Sequence, residues 1–166
     1  MDTFQAIVSK RDTRRYADLP VPDEVVERVL QAGRIAGSAR NRQPWRFVVV
    51  ESEDRRARLA EAVYAPENVL GAGLVVAIVG SGGLDNGRCT QNMMLAAWND
   101  GVASCPNGIA DADAAGEALG LGADEAVATV LSFGYPASGR TGESRSAEEW
   151  IDRADRKPLD ELVQRI

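Results

Sequence analysis

Two polar segments of this chain carry residue types that chemistry needs. Ser38-Ala39-Arg40-Asn41-Arg42-Gln43-Pro44-Trp45 gathers hydroxyl, amide and guanidinium groups into one compact stretch ahead of the apolar run Phe47-Val48-Val49-Val50. Its donors and acceptors suit a small polar ligand, and Pro44 stiffens the exit into the strand. The second segment, Lys10-Arg11-Asp12-Thr13-Arg14-Arg15-Tyr16, sets Lys10, Arg11, Arg14 and Arg15 beside one carboxylate, so Asp12 cannot neutralise them all. A phosphate monoester carries about −1.5 to −2 at neutral pH and would accept several charge-assisted hydrogen bonds there, each worth roughly 1.5–3 kcal/mol net. Each segment, read alone, also has a plain structural meaning. The first can be a polar turn with Trp45 in the core, and the second a solvated charge run.

What the chain lacks narrows the chemistry further. It contains no histidine, which removes Ser-His-Asp and Cys-His nucleophile systems and imidazole-based zinc sites. Chemistry must then come from carboxylates, Lys, Tyr, Cys or a bound cofactor, with no metal site expected. A formal net charge of −6 argues against a nucleic-acid partner, which would demand a basic face. Cys89 and Cys105 have neither the C-x-x-C spacing of a redox dithiol nor the numbers of a disulfide framework, and read as buried thiols. No run approaches the ~20 apolar residues of a membrane span, and the N-terminus has no apolar signal segment. A cytoplasmic protein without a membrane partner is the expectation. Val79-Gly80-Ser81-Gly82-Gly83 departs from G-x-G-x-x-G and has no Walker lysine, so it reads as a tight structural turn.

The elements that must position these segments follow from periodicity and punctuation. At 166 residues the chain fits a single domain, small enough to complete its core against a second copy. A helix is predicted over Asp2 to Ser9 with Phe4, Ile7 and Val8 on one face. A second starts at Pro22 and ends near Gly37, with Val25, Val26, Val29, Leu30 and Ala36 at helical spacing. Arg46 to Glu51 reads as a strand, and Ser52 as the N-cap of a charged helix carrying Leu59, Ala60 and Val63. Leu74 to Val79 is a fully apolar strand, and a nearly all-apolar helix runs from Asp85 or Gly87 to Asn99, which belongs at the centre of the fold. A turn at Ser104 to Gly108, a short helix from Asp111 to Leu119, a strand from Ala126 to Phe133, a polar loop from Ser138 to Ala147 and a last helix opened by Pro158 complete the chain.

Set together, these segments resemble the nitroreductase family of flavin-dependent oxidoreductases. Ser38 to Trp45 is similar to its Ser-x-x-Asn-x-Gln-Pro-Trp signature, and Lys10 to Tyr16 to its N-terminal Arg-Arg-Ser/Asp-x-Arg-x-Phe/Tyr element. Asp85 to Trp98 resembles its Asp-x-Gly-x-x-x-Gln-Asn-Met-x-Leu-Ala-Ala central helix, Gly101 to Gly108 its Gly-x-x-Ser-x-Pro turn, and Arg156-Lys157-Pro158 its C-terminal Arg-x-Pro. The resemblance implies an α+β fold, a central and mostly antiparallel sheet flanked by helices, in a homodimer with FMN at the interface. Lys10, Arg11, Asp12 and Arg14 would serve the phosphate and ribityl chain, with Arg14 also near flavin N1 and O2. Ser38, Ala39, Arg40 and Asn41 would touch the flavin from the partner subunit, a backbone amide at Asn107 or Gly108 would reach flavin N5, and Arg156 would support the phosphate. Three departures stand out: Lys10 replaces the commoner Arg, Gly37 the commoner Pro, and Asn68 falls where a basic residue faces the flavin pyrimidine.

The activity that the resemblance implies is two-step transfer of electrons from NADH or NADPH through FMN to a nitro compound, quinone or similar acceptor. No side chain of the protein need be catalytic in the covalent sense. A flavin-binding sensor without turnover and a flavin-fragmenting or dehalogenating relative share the same cofactor contacts.

Overall fold

A computed structural model describes residues 1–166. Four antiparallel strands form one sheet in the order β1-β2-β4-β3. They are β1 (Arg46–Val49), β2 (Leu74–Val79), β3 (Ala103–Asn107) and β4 (Val127–Gly134). The helices are α1 (Thr3–Ser9), α2 (Asp23–Arg34), α3 (Glu53–Glu61), α4 (Pro66–Leu70), α5 (Leu84–Asn99), α6 (Ala112–Leu119), α7 (Ala147–Asp152) and the single turn α8 (Leu159–Leu162).

β2 explains the three layers. Its residues are all buried, and their side chains alternate between two cores, as the period of a strand requires. Leu74, Val76 and Ile78 pack with Val25 and Val29 of α2 and Cys89, Met93 and Ala97 of α5. Val75 and Ala77 face Leu59 and Ala60 of α3, Val69 of α4 and Ala115 and Leu119 of α6. The sheet is therefore an α+β filling between two helical layers. Gly80 ends β2 at φ +148°, and a Cβ there would collide with the Pro44 carbonyl oxygen. The glycine-rich junction is the tight structural turn that its spacing predicts, and it lets the exit of the 38–45 loop lie directly on the sheet.

Four differences from the sequence reading have physical causes. The segment Ser104 to Gly108 is strand β3 up to Asn107 rather than a turn, and it accommodates Pro106 because β3 is the sheet edge, where a missing N–H breaks no interior ladder. α1 packs through Ala6 and Ser9, while Phe4 and Ile7 are 57% and 50% exposed. The reason is polar: the Ser9 hydroxyl accepts a 2.8 Å hydrogen bond from Trp98 Nε1 in the core and donates to the Gln5 carbonyl at 2.6 Å, which turns the Phe4–Ile7 face outward. α7 interrupts the polar C-terminal segment, started by a capping box between Ser146 and Glu149 and held by buried Trp150, whose Nε1 donates to the Gly142 carbonyl. The last helix is one turn, with Leu159, Leu162 and Val163 exposed.

Candidate functional site

The basic segment leaves α1 and runs along the sheet edge. The Thr13 N–H donates to the Ser104 carbonyl at 3.1 Å, and Asp12 forms a parallel bridge with Ser104, so residues 12 and 13 run alongside the outer edge of β3. This fixes Arg14 beside the Cys105 thiol, which burial and then Asp12 push above the ordinary thiol value against the pull of Arg14 and Lys10. Lys10 is largely buried: its ammonium lies 2.5 Å from Asp12 Oδ1 and 3.4 Å from Met94 Sδ of α5. Arg11 is turned inward, donating to the carbonyls of Val8, Lys10 and Trp150 at 2.7, 2.8 and 2.9 Å with its guanidinium stacked on the Trp150 ring. Its fork thus closes the C-terminal end of α1 and ties it to α7. Lys10, Arg11 and Arg156 nevertheless line one cleft of about 280 Å³, walled by Ile7, Val8, Ile151 and Ala154. The fold brings together cations 146 positions apart in the chain (Lys10 and Arg156).

The end of β3 holds the next part. The Asn107 side chain is buried, its amide donating to the carbonyls of Cys105 and Val130 and to Ser132 Oγ, while its oxygen accepts from Asn68 Nδ2 at 3.0 Å. Asn68 is therefore a core residue here, paired inside the domain rather than presented to a ligand. Tyr16 joins the same network through Ser132 Oγ at 3.0 Å, and burial raises its hydroxyl pKa well above the ordinary value. Gly108, one residue further, is exposed, and its N–H meets no acceptor within the chain. Tyr64, 78% exposed, donates its backbone N–H to the Gly108 carbonyl at 3.1 Å, and its ring lies 3.0 Å from where a Cβ on Gly108 would sit. Glycine at 108 keeps the strand end open to close approach.

The 38–45 loop is a short 3-10 turn over Ala39–Asn41, with Arg40, Asn41 and Gln43 all at positive φ (54°, 55° and 50°). Non-glycine residues in this region are strained by about 1 kcal/mol or more each, so surrounding bonds must hold the shape. They do: Ser38 Oγ accepts the Gln43 N–H at 2.8 Å, Asp85 Oδ2 accepts the Ala39 N–H at 3.0 Å, and Gln43 Nε2 reaches the Asn41 carbonyl. Trp45 packs partly into the core, as expected of an anchor. The side chains of Arg40 and Asn41 stay exposed.

Within one chain these two walls stand apart. The loop is tied to α5 at Asp85, whereas Lys10 touches α5 at Met94, nine residues and a rise of about 13.5 Å along the helix. Lys10, Asp12, Arg14, Arg156 and Gly108 belong to the sheet edge and its flank; Ser38, Ala39, Arg40 and Asn41 lie near the other end of α5. Sequence reasoning missed Arg140 and Tyr64, each in a connecting segment with no motif around it. Arg140 Nη2 donates to Thr13 Oγ1 at 2.9 Å and its guanidinium sits over Trp98, facts that only the folded chain supplies.

Comparison with known proteins agrees with this architecture. The nitroreductase family model matches residues 7–80 and 84–135, and the chain belongs to that family. A protein of Archaeoglobus fulgidus named "Putative NADH dehydrogenase/NAD(P)H nitroreductase" is 29% identical over 149 residues, which span 81% of this chain and 86% of the relative. A nitroreductase family protein from Clostridium difficile 630 superposes with a TM-score of 0.82 at 26% identity, covering 99% of this chain and 98% of that one. A "putative nitroreductase in complex with FMN" from Desulfovibrio desulfuricans superposes with a TM-score of 0.81 at 29% identity, covering 100% and 98% of the two chains.

Proposed function

We propose that this chain is an FMN-dependent oxidoreductase that draws electrons from NADH or NADPH and passes them to a nitro compound, a quinone or a similar acceptor. One observation carries the reading: exposed Arg14, the cleft of Lys10, Arg11 and Arg156, and the unpartnered N–H of Gly108 lie along one edge of the sheet. That donor set fits a flavin mononucleotide, with cations for a phosphate at one end and a backbone donor for a ring nitrogen at the other. The Desulfovibrio desulfuricans relative is described as an FMN complex. When bound, FMN supplies the redox chemistry, accepting hydride from a reduced nicotinamide and handing electrons on.

The protein's own part is to bind, orient and stabilise charge. Arg14 would place a fixed positive charge at the edge of the flavin ring, where it would favour the anionic form. Gly108 would offer its free N–H to a ring nitrogen of the flavin. Lys10 and Arg156 hold the phosphate end, and Arg11 contributes charge while bracing α1 against α7. Ser38, Ala39, Arg40 and Asn41 act on the site of a second copy, in keeping with a loop anchored at Asp85, well along α5 from the Lys10–Met94 contact. The exposed face of α5 at Leu84, Gly87 and Gln91, with Phe4 and Ile7 of α1, supplies surface for such a homodimer.

Arg14→Ala tests the assignment. The variant should lose bound FMN or shift the flavin reduction potential downward relative to wild type. Unchanged FMN content together with an unchanged potential would remove Arg14 from the site.

A further inference from the structure

We infer that Arg140 is a further residue for phosphate-monoester recognition, a role that rests on the flavin-oxidoreductase reading above and adds to Lys10 and Arg156 a residue outside the family's sequence motifs. Arg140 lines a cleft of about 530 Å³ with Thr13, Arg14, Arg15 and Ser138. It also lies within electrostatic reach of the neighbouring cleft. Burial, then Arg156 and Arg140, hold the Arg11 guanidinium below the ordinary arginine value, so the three cations share one field.

What sets Arg11, Arg140 and Arg156 apart is that they gather at two adjoining clefts without an ion pair to any carboxylate. The one carboxylate lining either cleft, Asp12, is already engaged by Lys10. Like charges gathered without a counter-charge repel one another, and an anion between them relieves that repulsion. Arg140 is also incompletely satisfied. One Nη2 hydrogen is spent on Thr13 Oγ1, whereas Nε is buried with no partner. A buried donor left unmet is destabilising, so the guanidinium retains hydrogen-bonding capacity for an acceptor.

The guanidinium is held from two sides, by the Thr13 hydroxyl and by the Trp98 ring at 6.0 Å, so its orientation is set before any ligand arrives. A planar fork of this kind suits a phosphate dianion. Two molecules of the proposed reaction carry that group: FMN through its 5′-phosphate, and NADPH through its 2′-phosphate.

Arg140→Gln removes the charge and leaves a shorter, uncharged side chain that still hydrogen-bonds. With apo-protein titrated by quenching of flavin fluorescence, FMN affinity should fall about tenfold to a hundredfold, the equivalent of one charge-assisted bond, while riboflavin affinity moves less than about twofold. Arg140→Lys should recover part of the loss, and Thr13→Val, which removes the same hydrogen bond and no charge, should keep the preference for FMN over riboflavin. If FMN affinity holds but KM for NADPH rises with KM for NADH unmoved, the site takes the reductant's phosphate and the proposal stands. Equal losses of FMN and riboflavin affinity, or no change in either the FMN/riboflavin or the NADPH/NADH ratio, overturn it. Should wild-type protein take up no flavin, the cofactor reading fails separately. Inorganic phosphate should then still raise the melting temperature of wild type and not of Arg140→Gln, and equal response of the two would sink the site.

Discussion

Replacing Gly80 with alanine should unfold the connection between the sheet and the 38–45 loop. The backbone at 80 has φ +148°, a region that alanine enters at a cost of order 1–3 kcal/mol. The added Cβ would also overlap the Pro44 carbonyl oxygen, with the Pro44 carbonyl carbon at 3.1 Å and Trp45 Cα at 3.4 Å. All three atoms are backbone, so no side-chain rotation gives way and the loop exit itself must shift, adding about 1–3 kcal/mol. The Gly80 N–H is fixed at 2.8 Å to the Ala126 carbonyl, which prevents an escape on the other side. The sum is roughly 2–6 kcal/mol, a large share of the ~5–15 kcal/mol that holds a domain together. At about 2–4 °C per kcal/mol for a chain of this size, the middle of that range lowers the melting temperature by roughly 8–16 °C. Thermal unfolding of apo-protein followed by circular dichroism reads the effect. Gly82→Ala is the control: nothing lies within 4 Å of a Cβ there, and the variant should match wild type or gain a few tenths of a kcal/mol. A Gly80→Ala protein melting within about 2 °C of wild type would refute the close packing of Pro44 on Gly80.

Two other consequences are open to measurement. Burial pushes the Cys89 thiol from 9.0 up to about 11 and raises Cys105 and Tyr16 as well. Because the folded state holds these protons more tightly, their contribution is complete below pH 9 and lost as pH rises, about 3 kcal/mol for Cys89 alone between pH 9 and 11. Urea midpoints at pH 7 and 10.5 should show Cys89→Ala losing clearly less stability than wild type at the higher pH, and equal losses would count against a buried thiol. Asp85→Ala frees the Ala39 N–H and with it the strained turn, so FMN affinity should drop about threefold to tenfold with little change in melting temperature. Unaltered FMN affinity would mean that the turn keeps its shape without α5.

Legibility in the sequence followed how local each cause is. β2 appears with the predicted bounds because six consecutive apolar residues between turn signals leave no other reading. Asp2, Ser52 and Asp111 cap α1, α3 and α6 through their own side chains, a signal contained within four residues. β3 was hidden because Pro106 is compatible with a strand only at a sheet edge, and edge position is a property of topology. The outward face of α1 depends on one bond between Ser9 and Trp98, separated by 89 residues. Arg140 reads as one arginine in a polar loop until Thr13, Trp98, Arg11 and Arg156 surround it. Features set by a few neighbouring residues were legible, and contacts made by long-range convergence were not.

The most direct measurement is the visible absorption spectrum of the purified protein, supplied with FMN if it is isolated without it and then titrated anaerobically with NADPH and with NADH. An FMN-dependent oxidoreductase shows flavin bands that bleach with one or both nucleotides and return when a quinone or nitroaromatic is added. A protein that stays colourless after incubation with FMN, or whose bound flavin neither nucleotide reduces, contradicts the proposed function.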